Sequence, residues 1–294
     1  MFSYPQDDHT RPQPGQDPQS VFQLVWHDAP AKNVQVQVDS IPHQIQTNWQ
    51  SPVNRRVFSV PNVGRDVDGA KRTLRLAQAV CFDVDSTVCA EEGINVLADF
   101  CGAAEAVANL TNQAMGGSML FQDALGARLD IMQPSRTTVD RCLRDHPPRL
   151  SPGVKEFIGL LQERGTAVYL VSGGFRQMIN PVADLLGINR ANIYANNLVF
   201  SPSGEYAGFD PEEPTSRDGG KPVVVRMLKD AFNYSSVVMI GDGATDLQAK
   251  PPANTFVGYG GVSIRSAVRQ GADWFVTDFS DLIHALKNPT ALAQ

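Results

Sequence analysis

This sequence has little that suits a polyanion or a bilayer. Lys and Arg number 25 against 31 Asp and Glu, a formal net charge of −6. With no basic block anywhere, an electrostatic hold on nucleic acid or on an anionic membrane is not expected. No segment approaches the roughly 20 apolar residues of a membrane span. No N-terminal run is apolar enough for a signal peptide, and the acidic Asp7 and Asp8 argue against a mitochondrial presequence, so the expected setting is the cytoplasm. The four cysteines, at 81, 89, 101 and 142, lack the paired spacing of a zinc site, and Cys81 sits in an apolar run where it reads as inert core. His27 and His43 are too isolated to argue for a metal.

What is present suffices for a folded protein. The 294 residues have room for one large or two modest domains, and 42% of them are hydrophobic, enough for a packed core. The chain is organised around Phe82-Asp83-Val84-Asp85-Ser86-Thr87-Val88. An apolar run from Ala79 stops at two carboxylates spaced one residue apart, as a buried parallel strand does where it reaches solvent. Alone, that spacing reads best as a strand ending in a solvated acidic turn. Two further segments share the design. Val168-Tyr169-Leu170-Val171 runs into Ser172-Gly173-Gly174, and Val237-Val238-Met239-Ile240 into Gly241-Asp242-Gly243-Ala244-Thr245-Asp246. In open α/β sheets ligands bind at that edge, so the three ends are expected to converge on one site.

The residue types set the chemistry. Clustered carboxylates repel one another unless a hard cation lies among them, and a cation held by few carboxylates, water and a substrate phosphate is usually Mg2+. Ser172 with Gly173 and Gly174 offers a hydroxyl and close backbone N–H groups for a phosphate, and Gly219-Gly220-Lys221 adds a cation at the end of a flexible loop. An anionic substrate, a divalent ion and a free aspartate point to phosphoryl transfer through an aspartyl-phosphate.

The ordered set DVDST, VSGG, GGK and GDGATD resembles the haloacid dehalogenase superfamily. Residues 76–287 as a whole are similar to its eukaryotic phosphoserine phosphatases, since Ala114-Met115-Gly116-Gly117, VSGGFRQ and Pro214-Thr215-Ser216 also fit. The resemblance implies an α/β fold: a Rossmann-like core formed by residues 76–92 and 148–294, with a helical cap, residues 93–147, inserted after the first core strand. Residues 1–75 form an N-terminal extension outside that resemblance.

Within the extension, the first 18 residues are rich in Pro, Gln and Asp and are expected to be disordered. Val34, Val36 and Val38 alternate with polar residues like a half-buried strand that Pro42 interrupts, with residues 21–26 as a candidate partner for a small β element. Residues 61–75 read as a linker into a short helix, with Asp66 and Asp68 as solvated loop carboxylates.

Residues 93–147 are helically periodic. Phe121, Leu125, Arg128 and Met132 share a face on which the helical ion-pair spacings offer Arg128 no carboxylate. From the residues alone, Arg128 snorkels to solvent, pairs with a carboxylate from elsewhere in the fold, or points at a ligand carboxylate. Beyond the cap, Ser151 is placed as the N-cap of a helix with Pro152 at its first position, and Gly187 as the stop of a later one. Residues 197–209 read as a hairpin about Pro202-Ser203-Gly204, followed by a helix opening at Lys221, strands at Phe256-Val257 and Trp274-Phe275-Val276, and a terminal helix.

The resemblance implies magnesium-dependent hydrolysis of O-phospho-L-serine to L-serine and phosphate, the last step of serine biosynthesis. It assigns Asp83 as nucleophile and Asp85 as acid and then base. Metal ligands are Asp83, Asp242 and the Asp85 backbone carbonyl, with Asp246 supporting. Ser172, Gly173 and Lys221 take the phosphate, Glu92 the ammonium and Arg128 the carboxylate, while Met115, Gly116, Phe121, Gly174 and Thr245 line the pocket. The expected partner is that small molecule, with neither nucleic acid nor membrane; a homodimer is compatible with it. The competing readings are a capped phosphatase or phosphotransferase for another small phosphomonoester, and an inactive phosphoserine-binding protein.

Overall fold

The structure, a computed structural model, describes residues 66–113 and 119–288. The expectations for residues 1–65, and for Met115 and Gly116, lie outside the described residues.

The apolar run that opens the motif is β1 (Ala79–Phe82), and all four of its residues are buried. It lies between β2 (Ala167–Phe175) and β6 (Val237–Gly241), parallel to both, with Cys81 opposite Tyr169 on one side and Met239 on the other. With β3 (Ile193–Asn196), β7 (Thr255–Tyr259) and β8 (Trp274–Val276) they form one six-stranded sheet in the order β3-β2-β1-β6-β7-β8. Every pairing in that sheet is parallel. Such a sheet must be covered on both faces, which is why its strands read as continuous apolar runs.

Alternation within β1 divides the core. Val80 and Phe82 enter one apolar cluster, and Ala79 and Cys81 the other. The first is closed by α1 (Val67–Arg75), α6 (Val154–Glu163), α7 (Arg176–Leu186) and α11 (Phe279–Lys287), with the Phe82 ring 5.9 Å from Phe157 and Phe157 5.8 Å from Phe279. The second is closed largely by α8 (Gly220–Phe232) and α10 (Ser266–Gly271), with Leu247 of the short α9 (Ala244–Leu247) packed against it.

The helices that follow β1 are α2 (Gly93–Phe100), α3 (Ala104–Gln113), α4 (Phe121–Met132) and α5 (Arg136–Asp145). They enclose a separate apolar cluster that includes Leu97, Val107, Leu125, Leu129, Val139 and Cys142. Leu198, from the hairpin of β4 (Leu198–Phe200) and β5 (Tyr206–Phe209), is buried in that cluster too, so the hairpin belongs to the cap's packing although the chain reaches it from the core. The two crossings between core and cap run side by side: Ala90 N–H donates to the Arg149 carbonyl at 2.9 Å and Ser151 N–H to the Val88 carbonyl at 2.8 Å. Glu91 clasps the crossing, accepting from Arg149 at 2.7 Å and lying 3.1 Å from His146.

Four expectations change. Asp66 is no loop carboxylate: its side chain accepts the Gly69 N–H and caps α1, in whose first turn Asp68 lies. Ala70 and Leu74 of α1 are buried in the same cluster as Phe82, so packing of the core begins before residue 76. Ser151 is not the N-cap of α6: the helix begins at Val154, and Gly153, at φ 79°, takes the cap position. Ser172, Gly173 and Gly174 do not leave the sheet at Val171 but prolong β2 to Phe175, with a shift of register against β3. The hairpin, the helix opening around Lys221, the last strands and the Gly187 stop lie where the sequence put them. No described helix is long and apolar enough to cross a membrane.

Candidate active site

The C-terminal ends of β1, β2 and β6 face a cleft of about 530 Å³ between core and cap. Asp83 continues the β1 ladder by one bond, its N–H donating to the Ile240 carbonyl at 2.9 Å, and its own carboxylate accepts the Val84 N–H at 2.7 Å. The chain then turns sharply, with Ser86 left-handed at φ 55°. That turn leaves Asp83 and Asp85 lining the same cleft.

Asp83 meets Lys221, whose Nζ lies 2.8 Å from its carboxylate and 2.6 Å from that of Asp246. All three are buried. Burial alone would push the Lys221 ammonium down, but Asp246 and Asp83 outweigh it and hold the group above its ordinary range. Asp246 is shifted upward by burial and by Asp83, against the pull of Lys221, and its second oxygen accepts the Gly243 N–H at 2.9 Å.

Asp85 has a different environment. Its Oδ1 accepts the Gly93 N–H at 2.8 Å where the cap begins. Burial first, and the Asp83 charge second, push its carboxyl up to about 7. Opposite it, Gly174 leaves room for both groups, since a Cβ there would stand 2.9 Å from Asp85 Oδ2 and 3.2 Å from Ser172 Oγ and displace them. Ser172 is fully buried beneath the cleft, its Oγ accepting the Gly174 N–H at 3.0 Å.

Asp83, Asp242 and Asp246 bring carboxylate oxygens within 4.8 Å of one another. Burial and then Asp83 raise Asp242, as expected of a donor set short of positive charge. Three crowded carboxylates with one ammonium among them fit a hard divalent cation.

The cap side of the cleft carries Glu92, Phe121 and Arg128, and Thr245 lines its core side. Arg128 Nε donates to the Ala124 carbonyl at 2.9 Å, so the helix itself satisfies that nitrogen. Burial lowers the Arg128 pKa, and the nearby Glu92 opposes that. Of the three readings open to Arg128, the structure removes simple snorkelling, because the side chain lines the cleft.

Three contributors escaped the sequence reading. Arg265 donates through Nε to Asp242 at 3.0 Å, and its Nη2 lies 3.5 Å from Glu92, so one guanidinium joins the carboxylate cluster to the cap side. Its signal was present: Gly260-Gly261 directly follows β7, a few residues before it. Thr87 approaches Asp242 through its hydroxyl at 3.4 Å. Asp218 touches the start of α4, a contact no local pattern announces.

A family model for haloacid dehalogenase-like hydrolases matches residues 77–250. Phosphoserine phosphatase of Bos taurus is 52% identical over 211 residues, 72% of this chain and 94% of that protein. The chloroplastic phosphoserine phosphatase of Arabidopsis thaliana is 55% identical over 214 residues, 72% of each chain. Among solved structures, DsGPDH of Dunaliella salina superposes with a TM-score of 0.65 at 34% identity over 74% of this chain, which spans only 37% of that longer one.

Proposed function

The chain belongs to the haloacid dehalogenase-like hydrolases, and on that premise we propose that this cleft hydrolyses O-phospho-L-serine to L-serine and phosphate through an aspartyl-phosphate. Relatives at about half identity bearing that activity support the reaction. The observation that carries the mechanism is the carboxyl of Asp85, pushed up to about 7 in the same cleft as Asp83. A group poised there can hold a proton for one half-reaction and accept one in the next.

An Asp83 oxygen attacks phosphorus and the bond to the seryl oxygen breaks; Asp85 gives its proton to that oxygen, and serine leaves. In the second half Asp85, now a carboxylate, takes a proton from water as the water oxygen attacks phosphorus. The aspartyl–phosphate bond breaks, releasing phosphate, with Asp83 again a carboxylate and Asp85 again protonated. Lys221, the Ser172 hydroxyl and the Gly173 N–H hold the phosphoryl oxygens, while Asp246 orients Lys221 at 2.6 Å. Mg2+ is the cation we assign to Asp83, Asp242 and the Asp85 carbonyl; when bound it neutralises charge on the phosphoryl group. Glu92 takes the ammonium and Arg128 the carboxylate.

Phosphate release over a panel of phosphomonoesters, with excess MgCl2 and with and without an added alcohol, tests this reading. Phosphoserine should be turned over best, with water as acceptor. Turnover of none of the panel would leave a phosphoserine-binding protein, and transfer to the alcohol in preference to water would make the enzyme a phosphotransferase.

A further inference from the structure

Helix α4 carries Phe121 and Arg128 into the cleft, yet its own sequence leaves its start uncapped. Leu120 occupies the N-cap position, and its side chain accepts none of the first N–H groups. An apolar N-cap is among the poorest choices for satisfying those donors. The missing acceptor comes from the core, 97 residues along the chain: Asp218 Oδ2 accepts the Phe121 N–H at 3.3 Å. The contact is reciprocal, since the Asp218 N–H donates to Gln122 Oε1 at 3.4 Å. An aspartate at this end of a helix is also favoured by the helix dipole.

Asp218 stands three residues before Lys221, and its loop is fixed at the base. Thr215 Oγ1 donates to Asn196 Oδ1 at 3.0 Å, and Asn196 Nδ2 donates to the Gly173 carbonyl at 2.7 Å. The Phe121 ring lies directly on Gly173, whose Cβ, if it had one, would stand 3.0 Å from the ring edge. The contacts therefore run in a circuit about the phosphate cradle, from Gly173 through Asn196, Thr215 and Asp218 to Phe121 and back to Gly173. Asp218 closes that circuit between core and cap.

We propose that Asp218 is the latch of the cap, a positioning residue that caps α4 from the core only while the cap is seated, and so ties the loop presenting Lys221 to the helix presenting Phe121 and Arg128. The substrate then meets its phosphate and carboxylate contacts as one preassembled set. The catalytic part of this inference rests on the phosphoserine reading; the coupling between loop and helix does not.

Two variants of the full chain separate a latch from simple helix capping. Asp218→Ala should raise amide hydrogen exchange at residues 121–123 and at residues 214–220, and lower kcat/KM for phosphoserine, each by roughly fivefold to tenfold, the scale of a lost cap. Leu120→Asp added to Asp218→Ala gives α4 a cap of its own, at a position exposed enough to accept the change. The double variant should regain protection at residues 121–123, but not at residues 214–220, and should not regain kcat/KM. Recovery of kcat/KM together with helix protection would reduce Asp218 to a helix cap, and an Asp218→Ala variant that matches the parent in exchange and kinetics would end the proposal. If the parent turns over no phosphoserine, the functional reading falls while the exchange at residues 214–220 still decides the latch.

Discussion

The Lys221 ammonium stands 2.6 Å from the Asp246 carboxylate, with both groups buried. Removing one member of such a pair leaves an uncompensated charge, which typically costs 3–5 kcal/mol, more than the pair itself contributes. Lys221→Met should therefore destabilise the metal-free protein by about 3–5 kcal/mol in urea unfolding. A loss below about 1 kcal/mol would show that the carboxylates relax to water.

Asp83→Asn should abolish turnover with the fold intact. The side chain keeps its size, and Lys221 retains Asp246 as an ionic partner, so the structural penalty stays smaller than that of losing Lys221. A lost nucleophile costs several orders of magnitude in rate. Phosphoserine turnover within about tenfold of the parent would sink the covalent mechanism.

The carboxylate cluster gives a pH dependence whose sign is fixed. Asp85, at about 7, and Asp242 and Asp246, both raised, bind protons more readily folded than unfolded. Their contribution is fully present below the unfolded carboxylate pKa of about 4, and is lost as pH rises through the folded values, about 7 for Asp85. A divalent cation competes with those protons. The gain in Tm on adding MgCl2 to metal-free protein should accordingly grow from about pH 5 to about pH 8. A gain that shrinks over that interval would mean the metal binds elsewhere.

The limit for shortening the chain is set by α1. A chain starting at Arg65 keeps the Asp66 cap and the buried Ala70 and Leu74, and should fold and remain active. One starting at Gln78 exposes the apolar surface those residues cover, and should be poorly soluble or melt well below the parent. Equal melting temperatures for the two chains would mean that α1 adds nothing to the core.

The sheet and the catalytic rim were legible because their signals are local. A buried parallel strand is an apolar run, and the carboxylates or glycines that end it are adjacent in sequence, as at Phe82-Asp83 and Ile240-Gly241-Asp242. What escaped is held together across long separations. Arg265 reaches Asp242 from 23 residues away, and Asp218 reaches Phe121 from 97. The Asp218 contact leaves no periodicity or spacing that would reveal it, and the Arg265 contact leaves only the glycine pair after β7. The misplaced start of α6 has the same origin: Ser151 has the residue type of a good cap, but it pairs with Val88 across the cap–core crossing and the helix begins only after Gly153.

Selectivity for phosphoserine should reside in Arg128 and Glu92. The phosphate end of the cleft, with Lys221, Ser172 and the metal-capable carboxylates, meets any phosphomonoester alike. Discrimination must then come from the cap side, where a zwitterion needs a cation for its carboxylate and an anion for its ammonium. Arg128 suits the first task, because its Nε is already satisfied by the Ala124 carbonyl at 2.9 Å, which fixes the guanidinium plane and leaves the terminal nitrogens for a carboxylate. A substrate lacking that carboxylate leaves the guanidinium without its partner, at a cost of roughly 1–3 kcal/mol. Arg128→Ala should thus lower kcat/KM for phosphoserine by roughly tenfold to a hundredfold while barely changing it for phosphoethanolamine, which has the ammonium and no carboxylate. Arg128→Lys should restore little, since an ammonium lacks the planar fork that matches a carboxylate. Glu92→Gln should show the complementary pattern, hurting phosphoserine and phosphoethanolamine together and sparing a phosphorylated hydroxy acid that has no ammonium. Equal losses on all three substrates in both variants would mean that Arg128 and Glu92 serve closure of the cap, and the preference for phosphoserine would have to be sought in other side chains of the cleft.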